Sequence, residues 1–252
     1  MMAAQKYETP ALAVLPERHA AEMDLAARLA AQLRGKPDSV LGLATGNSMV
    51  GVYRALVEMH RNEGLSFARA TSFNLDEYCG LPNGHPSSFA SYMQDHLFAH
   101  VDMPRNSAHL PDENSCAEYE AAIAKKGIDL QILGIGRNGH IGFNEPGAAV
   151  TSRTRVVELA AATRAANQRD FPDGETVPTH AVTMGIATIL SARSILLLAT
   201  GEAKADALAR ALEGPITPDN PACFLRLHSD VTVISDRDAA RFLSSTRTNT
   251  DA

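Results

Sequence analysis

The sequence SVLGLA at positions 39–44 is followed directly by TGNS at positions 45–48, and this stretch decides the fold. SVLGLA is an apolar run of strand length, and TGNS is a small polar turn that contains a glycine. Apolar residues at helical spacing, among them Val50, Tyr53 and Leu56, come next. The order predicts a buried strand, a turn and a helix, which together form one unit of an α/β sheet.

The same alternation of apolar runs and helical patterns continues along the chain. The predicted strands are 39–44, 70–75, 128–135, 194–200 and 230–236, and further helices are predicted over 18–34, 87–100, 115–126, 183–191 and 202–213. Such a series is typical of an open, mostly parallel sheet with helices on both faces. We therefore predict a single α/β domain over residues 1–252. Its tail, 244–252, is expected to be disordered because it offers almost nothing to bury.

The composition excludes several classes of protein. The chain has 252 residues, 45% of them hydrophobic, and a formal net charge of −6. An acidic chain without a basic block lacks the surface that nucleic acid or an anionic membrane attracts. Its apolar runs are far shorter than the roughly 20 residues of a membrane helix. Three scattered cysteines make no disulfide framework, and the apolar stretch 11–15 is too short for a signal peptide. We expect a cytoplasmic protein.

Ligands of open α/β sheets bind beyond the carboxyl ends of the strands, so the residues that follow each strand are the candidates for a site. The turn 45–48 could bind a phosphate through backbone N–H groups and through the hydroxyls of Thr45 and Ser48. It is not a Walker A loop, because no GKS or GKT occurs there. The alternative is an ordinary turn in which Ser48 caps the helix.

Two adjacent carboxyl groups, Asp76 and Glu77, stand at the end of the predicted strand 70–75. A carboxylate held against apolar walls is a better base near neutral pH, because its charged form is disfavoured there. The alternatives are a solvated pair at a strand end or a cap for the turn that follows.

The segment LGIGRNGHIGFNEPG at positions 133–147 contains GxGxxG, the pattern of dinucleotide-binding loops. That interpretation fails on context, because Gly142, Pro146 and Gly147 prevent a regular helix from following the glycines. We predict instead a tight loop that presents His140 and Glu145 for acid–base chemistry. The alternative is a structural histidine bonded to the backbone.

The remaining candidates are cations and histidines. Lys204 lies in the first turn of the predicted helix 202–213, where a cation opposes the helix dipole, and this position indicates a bound anion. Arginine side chains that could bind phosphate follow the loop at Arg153, Arg155, Arg164 and Arg169. The pair of histidines at 96 and 100 lacks the glutamate of a zinc-binding HExxH motif, so we predict no metal site.

Taken together, these segments resemble the glucosamine-6-phosphate deaminase family. The resemblance extends from about residue 41 to residue 236. It rests on SFNLDEYCGL, HPSSFASYM, LGIGRNGHIGFNEPG, SRTRVVELAAATRAANQRDF and VPTHAVTMGIATILSA, in this order. It implies an open α/β sheet similar to those of sugar-phosphate isomerases and 6-phosphogluconolactonases. It also implies conversion of glucosamine 6-phosphate and water to fructose 6-phosphate and ammonia, with neither metal nor organic cofactor.

The resemblance also assigns roles to the catalytic candidates. Asp76 would move a proton from C2 to C1 of the open-chain sugar, and His140 would act on the ring oxygen and the anomeric hydroxyl during ring opening. Glu145 would orient His140 and balance its charge. Asn138 occupies the third ring-opening position, where many members have aspartate. Because asparagine cannot take a proton, His140 would depend more on Glu145 here.

For the phosphate of the substrate, the resemblance implies contacts from the turn and from two cations. These residues are Thr45, Gly46, Asn47, Ser48, Arg169 and Lys204. Asn47 and Met49 depart from the residues expected in the family's turn.

Other functions stay open from the sequence. They are a galactosamine-6-phosphate deaminase or a 6-phosphogluconolactonase on the same fold, or a sugar-phosphate sensor without catalysis. The partner we expect is a small sugar phosphate, and a homo-oligomer is possible. Some members are activated by N-acetylglucosamine 6-phosphate, whose phosphate is held by an arginine, a serine and a lysine. The corresponding positions here are Arg155, Ala148 and Val157, and the last two side chains cannot bind a phosphate.

Overall fold

The computed structural model describes residues 9–244. The strands in this range are β1 (Ala11–Leu15), β2 (Val40–Leu43), β3 (Thr71–Asn74), β4 (Asp76–Tyr78), β5 (Ala108–His109), β6 (Leu130–Gly134), β7 (Arg155–Glu158), β8 (His180–Thr183), β9 (Ser194–Ala199) and β10 (Val231–Asp236). The helices are α1 (Arg18–Gly35), α2 (Val50–Glu63), α3 (Phe89–His96), α4 (Cys116–Lys126), α5 (Ala161–Asn167), α6 (Ile186–Ile189), α7 (Ala205–Glu213) and α8 (Arg237–Ala240). Short 3-10 helices cover Phe98–His100, Arg105–Ser107, Gln168–Asp170, Glu202–Lys204 and Pro221–Leu227. Apart from Ser244, the predicted disordered tail lies outside the described residues.

The main sheet confirms the predicted fold class. It has seven strands in the order β1-β10-β9-β6-β2-β3-β5, and every neighbouring pair is parallel. Successive side chains of a strand point to opposite faces. Because every residue of β2 and β3 is buried, both faces of the sheet are covered there. The apolar runs in the sequence are therefore central strands of a parallel sheet.

A second, smaller sheet was not expected from the sequence. Its order is β4-β8-β7, and both pairs are antiparallel. The predicted helix 183–191 is wrong at its start, because Thr183 is the last residue of strand β8 and pairs with Asp76. The helix there is only the short α6. Strand β1 was also not predicted; it adds an edge beside β10.

Two helix ends differ from their predictions. α1 runs through Gly35 instead of stopping before it, and Lys36 forms its C-cap. α3 ends at His96, and the rest of the predicted helix 87–100 is a 3-10 turn after Leu97. Within residues 9–244, no helix combines the length and the apolar character that crossing a membrane requires.

Candidate active site

The segments singled out in the sequence meet at one edge of the main sheet. Strands β9, β6, β2 and β3 are consecutive neighbours and run parallel, so their carboxyl ends lie side by side. The turn 45–48 follows β2, Asp76 follows β3, the His140 loop follows β6 and Lys204 follows β9. The order of the strands thus places a carboxyl group, a histidine loop, an N–H-rich turn and a cation next to one another.

The turn after β2 leaves its backbone donors free. Gly46 has φ +101°, a left-handed conformation that glycine adopts without strain. The N-cap of α2 is Met49, which provides no side-chain bond, so the alternative in which Ser48 caps this helix is wrong. Within residues 9–244, the N–H groups of residues 45–48 have no hydrogen-bond acceptor. Free N–H groups before a helix of this length favour an anion.

Asp76 is buried and only 6% exposed, at the junction between the two sheets. Its Oδ1 has no hydrogen-bond partner among the described residues. Burial, with a smaller contribution from the charge of Glu77, raises the pKa of Asp76 to about 8. Asp76 thus has a bare carboxyl group, one whose Oδ1 makes no hydrogen bond to a described residue. Its carboxylate is a stronger base than that of an ordinary aspartate.

Glu77 has a different role from its neighbour. Its carboxylate accepts the N–H groups of Phe89 at 2.9 Å and Ala90 at 2.8 Å, which open helix α3. A third bond comes from the N–H of Tyr78. Burial raises the pKa of Glu77 while these three bonds oppose the shift. Glu77 therefore anchors the start of α3, a role that the sequence did not predict, whereas Asp76 Oδ1 has no bond from the described residues.

The loop after β6 is tight and contains no helix, as its context predicted. The His140 ring packs directly on Gly136, where a Cβ atom would come within 2.3 Å of the ring. Gly139 has φ +88° and lies against the buried Asn220, where a Cβ would come within 2.1 Å of Asn220 Oδ1. Because glycine has no Cβ, the His140 ring packs against the backbone at Gly136 and the Asn220 side chain packs against it at Gly139.

Within this loop, His140 and Glu145 face each other. His140 Nδ1 lies 3.5 Å from Glu145 Oε2, which also accepts a bond from Asn138 Nδ2 at 2.6 Å. Glu145 Oε1 accepts a bond from the hydroxyl of Thr163 on α5. Burial disfavours the charge of Glu145, but His140, Thr163 and Asn138 outweigh it and lower its pKa to about 2. The loop thus contains a permanent anion beside a histidine.

Lys204 and Arg137 supply positive charge near this edge. The pKa of Lys204 is lowered by burial and by the charge of Arg137. Neither cation forms an ion pair with a carboxylate in the part of the chain that the structure describes. Two cations that repel each other without a counter-charge favour a bound anion.

The other predicted cations are distributed differently. Arg169 is exposed on the 3-10 turn after α5; together with Asn47, Val50 and Arg54 it lines a cleft of about 740 Å³, which Lys204 does not line. The structure thus brings Arg169 to the turn 45–48. Arg153 lies 3.7 Å from Glu120.

Two residues of the site were not found from the sequence. Arg137 lies in the segment 133–147 but was not among the predicted site residues. A cation in this loop without a predicted partner could have indicated an anion site. Thr163 has no such signal, because its bond to Glu145 joins residues 18 positions apart through the packing of α5. Within residues 9–244, no group of three or more His, Cys, Asp or Glu side chains could hold a metal ion.

Comparisons with known proteins show which family this chain belongs to. Residues 17–234 match the sequence model of the glucosamine-6-phosphate isomerase/6-phosphogluconolactonase family. The chain is 53% identical over 216 residues to a glucosamine-6-phosphate deaminase of Geobacillus sp. (strain WCH70), covering 83% of this chain and 86% of that protein. It is 50% identical over 224 residues to glucosamine-6-phosphate deaminase 1 of Bacillus subtilis (strain 168), covering 86% and 93%.

Solved structures of this family have the same fold as this chain. A monomeric glucosamine-6-phosphate deaminase superposes with a TM-score of 0.89 at 47% identity, over 92% of this chain and 99% of that one. A 6-phosphogluconolactonase from Trypanosoma brucei shares the fold, with a TM-score of 0.74 at 18% identity over 95% and 100%. From the match of the family model and the identities of about one half, this chain belongs to the glucosamine-6-phosphate isomerase/6-phosphogluconolactonase family.

Proposed function

We propose that this chain is a glucosamine-6-phosphate deaminase, which converts glucosamine 6-phosphate and water to fructose 6-phosphate and ammonia. The observation that carries the proposal is the bare, buried carboxyl group of Asp76, placed at the same sheet edge as the pair of His140 and Glu145. The deaminases that are about 50% identical to this chain support the same reaction.

Asp76 is proposed as the base of the isomerisation. An aldose–ketose isomerisation needs one base that reaches two adjacent carbon atoms, and a single carboxylate serves both. Asp76 takes the proton from C2 of the open-chain sugar and returns it to C1. The imine that this leaves at C2 reacts with water and releases ammonia. A raised pKa strengthens this carboxylate as a base, and no bond from another described residue to Oδ1 has to be broken first.

Ring opening is assigned to His140. A ring nitrogen exchanges protons with the ring oxygen and the anomeric hydroxyl, and Glu145 holds the histidine and stabilises it when it is charged. Asn138 cannot exchange a proton. Its Nδ2 donates to the Glu145 carboxylate at 2.6 Å, and its Oδ1 accepts the backbone N–H of His140. The proton therefore passes through His140, and Asn138 keeps the pair in place.

The phosphate is assigned to the turn after β2 and to nearby cations. The N–H groups of Thr45, Gly46, Asn47 and Ser48 and the ammonium of Lys204 bind it, and Arg169 adds its guanidinium from the cleft that it shares with Asn47. A phosphate held away from C1 and C2 fixes the sugar for reaction. We also propose that the enzyme works in the cytoplasm.

A lactonase is the second function that the fold allows. Hydrolysis of a lactone needs no base for an enediol, so the bare Asp76 favours the deaminase. The lactonases that superpose on this chain are 15–22% identical to it and share the fold alone.

Ammonia release tests the proposal directly. The purified protein is assayed on glucosamine 6-phosphate, galactosamine 6-phosphate and 6-phosphogluconolactone in parallel. We expect stoichiometric ammonia and fructose 6-phosphate from the gluco substrate and faster turnover of it than of the galacto epimer. Hydrolysis of the lactone without ammonia from either amino sugar would overturn the proposal.

A further inference from the structure

The turn that follows β2 is held by three helices through bonds to its carbonyl oxygens, the outer bonds. Its carbonyl groups accept hydrogen bonds from side chains of α1, α2 and α3. The bonds run from Tyr53 Oη to the oxygen of Ala44 (2.5 Å), from Tyr92 Oη to that of Gly46 (2.8 Å) and from Arg18 Nη2 to that of Asn47 (2.6 Å). Each donor comes from a different helix, so the turn is held at three of the four carbonyls of residues 44–47.

These bonds determine where the N–H groups of the turn point. In a trans peptide the C=O and the N–H of the next residue point in opposite directions, and the described residues contain no cis bond. Each of the three carbonyls points toward its side-chain donor, and that of Gly46 also accepts the N–H of Met49 at 2.9 Å. The N–H groups of Thr45, Asn47 and Ser48 therefore point away from these donors. These N–H groups have no acceptor among residues 9–244. The outer bonds therefore preorganise an anion-binding nest.

Arg18 is itself held in place by a buried carboxylate. Its Nε donates to Glu22 Oε1 at 2.7 Å, and Glu22 is only 5% exposed. The other oxygen of Glu22 packs on α2 at Gly51, where a Cβ atom would come within 2.0 Å of it. A buried glutamate between two helices is costly unless it is paired, and here its pair is the arginine that holds Asn47.

We propose that Arg18, held by Glu22, is a positioning residue for the phosphate subsite and that Tyr92 acts in the same way from α3. Arg18 lines the same cleft as Arg169, but its Nε is bonded to Glu22 and its Nη2 to the carbonyl of Asn47, so we assign it to the turn rather than to the phosphate. Arg18 and Tyr92 each fix a carbonyl of the turn, and the N–H groups on the inner side then meet the phosphate without further ordering. This inference rests on the phosphate subsite of the proposed function.

The test compares four variants in the full chain. Arg18→Met and Tyr92→Phe each remove one outer bond, and Arg18→Lys keeps a donor. Arg28→Met is the matched control, because Arg28 pairs with Asp24 at 2.7 Å on the same helix and at the same spacing as Arg18 and Glu22. The measurements are the dissociation constant of inorganic phosphate by calorimetry, KM and kcat for glucosamine 6-phosphate, and the melting temperature.

We expect Arg18→Met to weaken phosphate binding and raise KM by about fivefold to tenfold, with kcat within about twofold of the parent. Tyr92→Phe should weaken phosphate binding about threefold although it removes no charge. Arg18→Lys should fall between Arg18→Met and the parent, and Arg28→Met should bind phosphate like the parent.

Three results would overturn the inference: unchanged phosphate binding in Arg18→Met and Tyr92→Phe, an equal loss in Arg28→Met, or a loss in Arg18→Met with none in Tyr92→Phe. The last result would mean that the charge of Arg18 acts on the phosphate directly. If Arg18→Met does not fold, Arg18→Lys tests Arg18 and Tyr92→Phe tests Tyr92, and unchanged phosphate binding in both would overturn the inference. A parent that releases no ammonia contradicts the proposed function instead, and the phosphate titration still tests the positioning.

Discussion

Asp76 and Glu145 follow β3 and β6, the two strands that flank β2, yet their carboxyl groups meet opposite surroundings. Asp76 is buried with one oxygen unbonded, and its pKa rises to about 8. Glu145 is bonded by Asn138 and Thr163 beside His140, and its pKa falls to about 2. Environments that shift the pKa values of two carboxyl groups in opposite directions give the two groups different roles. One becomes the base that takes a proton, and the other stays an anion that supports a histidine.

The largest expected effect comes from removing the base. Asp76→Asn keeps the shape of the side chain and should lower kcat by about 10³-fold or more, because asparagine cannot take the C2 proton. Binding of the substrate should persist, since the phosphate contacts lie elsewhere. Glu77→Gln is the matched control: it changes the adjacent carboxylate, which anchors α3, and should lower the melting temperature with little change in kcat. A kcat of Asp76→Asn within tenfold of the parent would contradict the assignment.

The second effect concerns the other carboxylate. Glu145→Gln should lower kcat by about 10²-fold, because the negative charge 3.5 Å from His140 Nδ1 is lost. Thr163→Val removes only one of the bonds to Glu145 and should cost less, while Thr163→Ser keeps the hydroxyl and serves as its control. Steady-state kinetics of the three variants measure this order. If Thr163→Val cost as much as Glu145→Gln, the hydroxyl would have a role of its own.

A smaller effect should separate binding from chemistry. Lys204→Ala should weaken the affinity for an inert sugar phosphate by about 2 kcal/mol, or ~30-fold, since a charged partner of the phosphate is lost. Arg169→Ala should act in the same direction, but less, because its side chain is exposed and lies 3.8 Å from the carboxylate of Asp170. Calorimetric titration measures both. Unchanged affinity in both variants would place the phosphate elsewhere.

The sequence predicted the central strands well because most of them are apolar runs buried on both faces; β3, with the sequence TSFN, is buried although three of its four residues are polar. It could not predict the small sheet: β4 consists of the residues DEY and β7 alternates half-buried and exposed residues. These strands are held by tertiary contacts instead, such as the packing of Tyr78 with Phe143 and Phe171.

The chemistry of the site was only partly readable from the sequence. Asp76, His140 and Glu145 stand at strand ends or in a constrained loop, where polar residues are conspicuous. The division of roles between Asp76 and Glu77 was not readable, because it depends on N–H groups 12 and 13 positions beyond Glu77. Likewise, the lowered pKa of Glu145 is due first to His140 and in part to Thr163, which the fold of α5 brings to it.

We predict that N-acetylglucosamine 6-phosphate has no effect on the kinetics. The resemblance described in the sequence analysis implies that an activator's phosphate would lie at Arg155, Ala148 and Val157. Here Arg155 Nη1 donates to Asn144 Oδ1 at 3.0 Å, and Ala148 and Val157 pack in apolar clusters. We therefore expect hyperbolic kinetics that millimolar N-acetylglucosamine 6-phosphate leaves unchanged, because differential binding is what an activator needs. A sigmoidal curve that becomes hyperbolic with this compound would contradict the prediction.

The most direct test of the contrast between the two carboxyl groups is a carboxyl titration by NMR of protein labelled with ¹³C at aspartate and glutamate. An aspartate whose pKa is raised stays protonated as the pH increases past 4 and ionises only near pH 8, so its base form, and kcat/KM with it, increases through that range. We predict one aspartate resonance that titrates near pH 8 and is absent from Asp76→Asn. We also predict one glutamate resonance near pH 2 that is absent from Glu145→Gln. If Asp76 and Glu145 both titrated between pH 3.5 and 5, at the usual values of exposed carboxyl groups, the account would be contradicted.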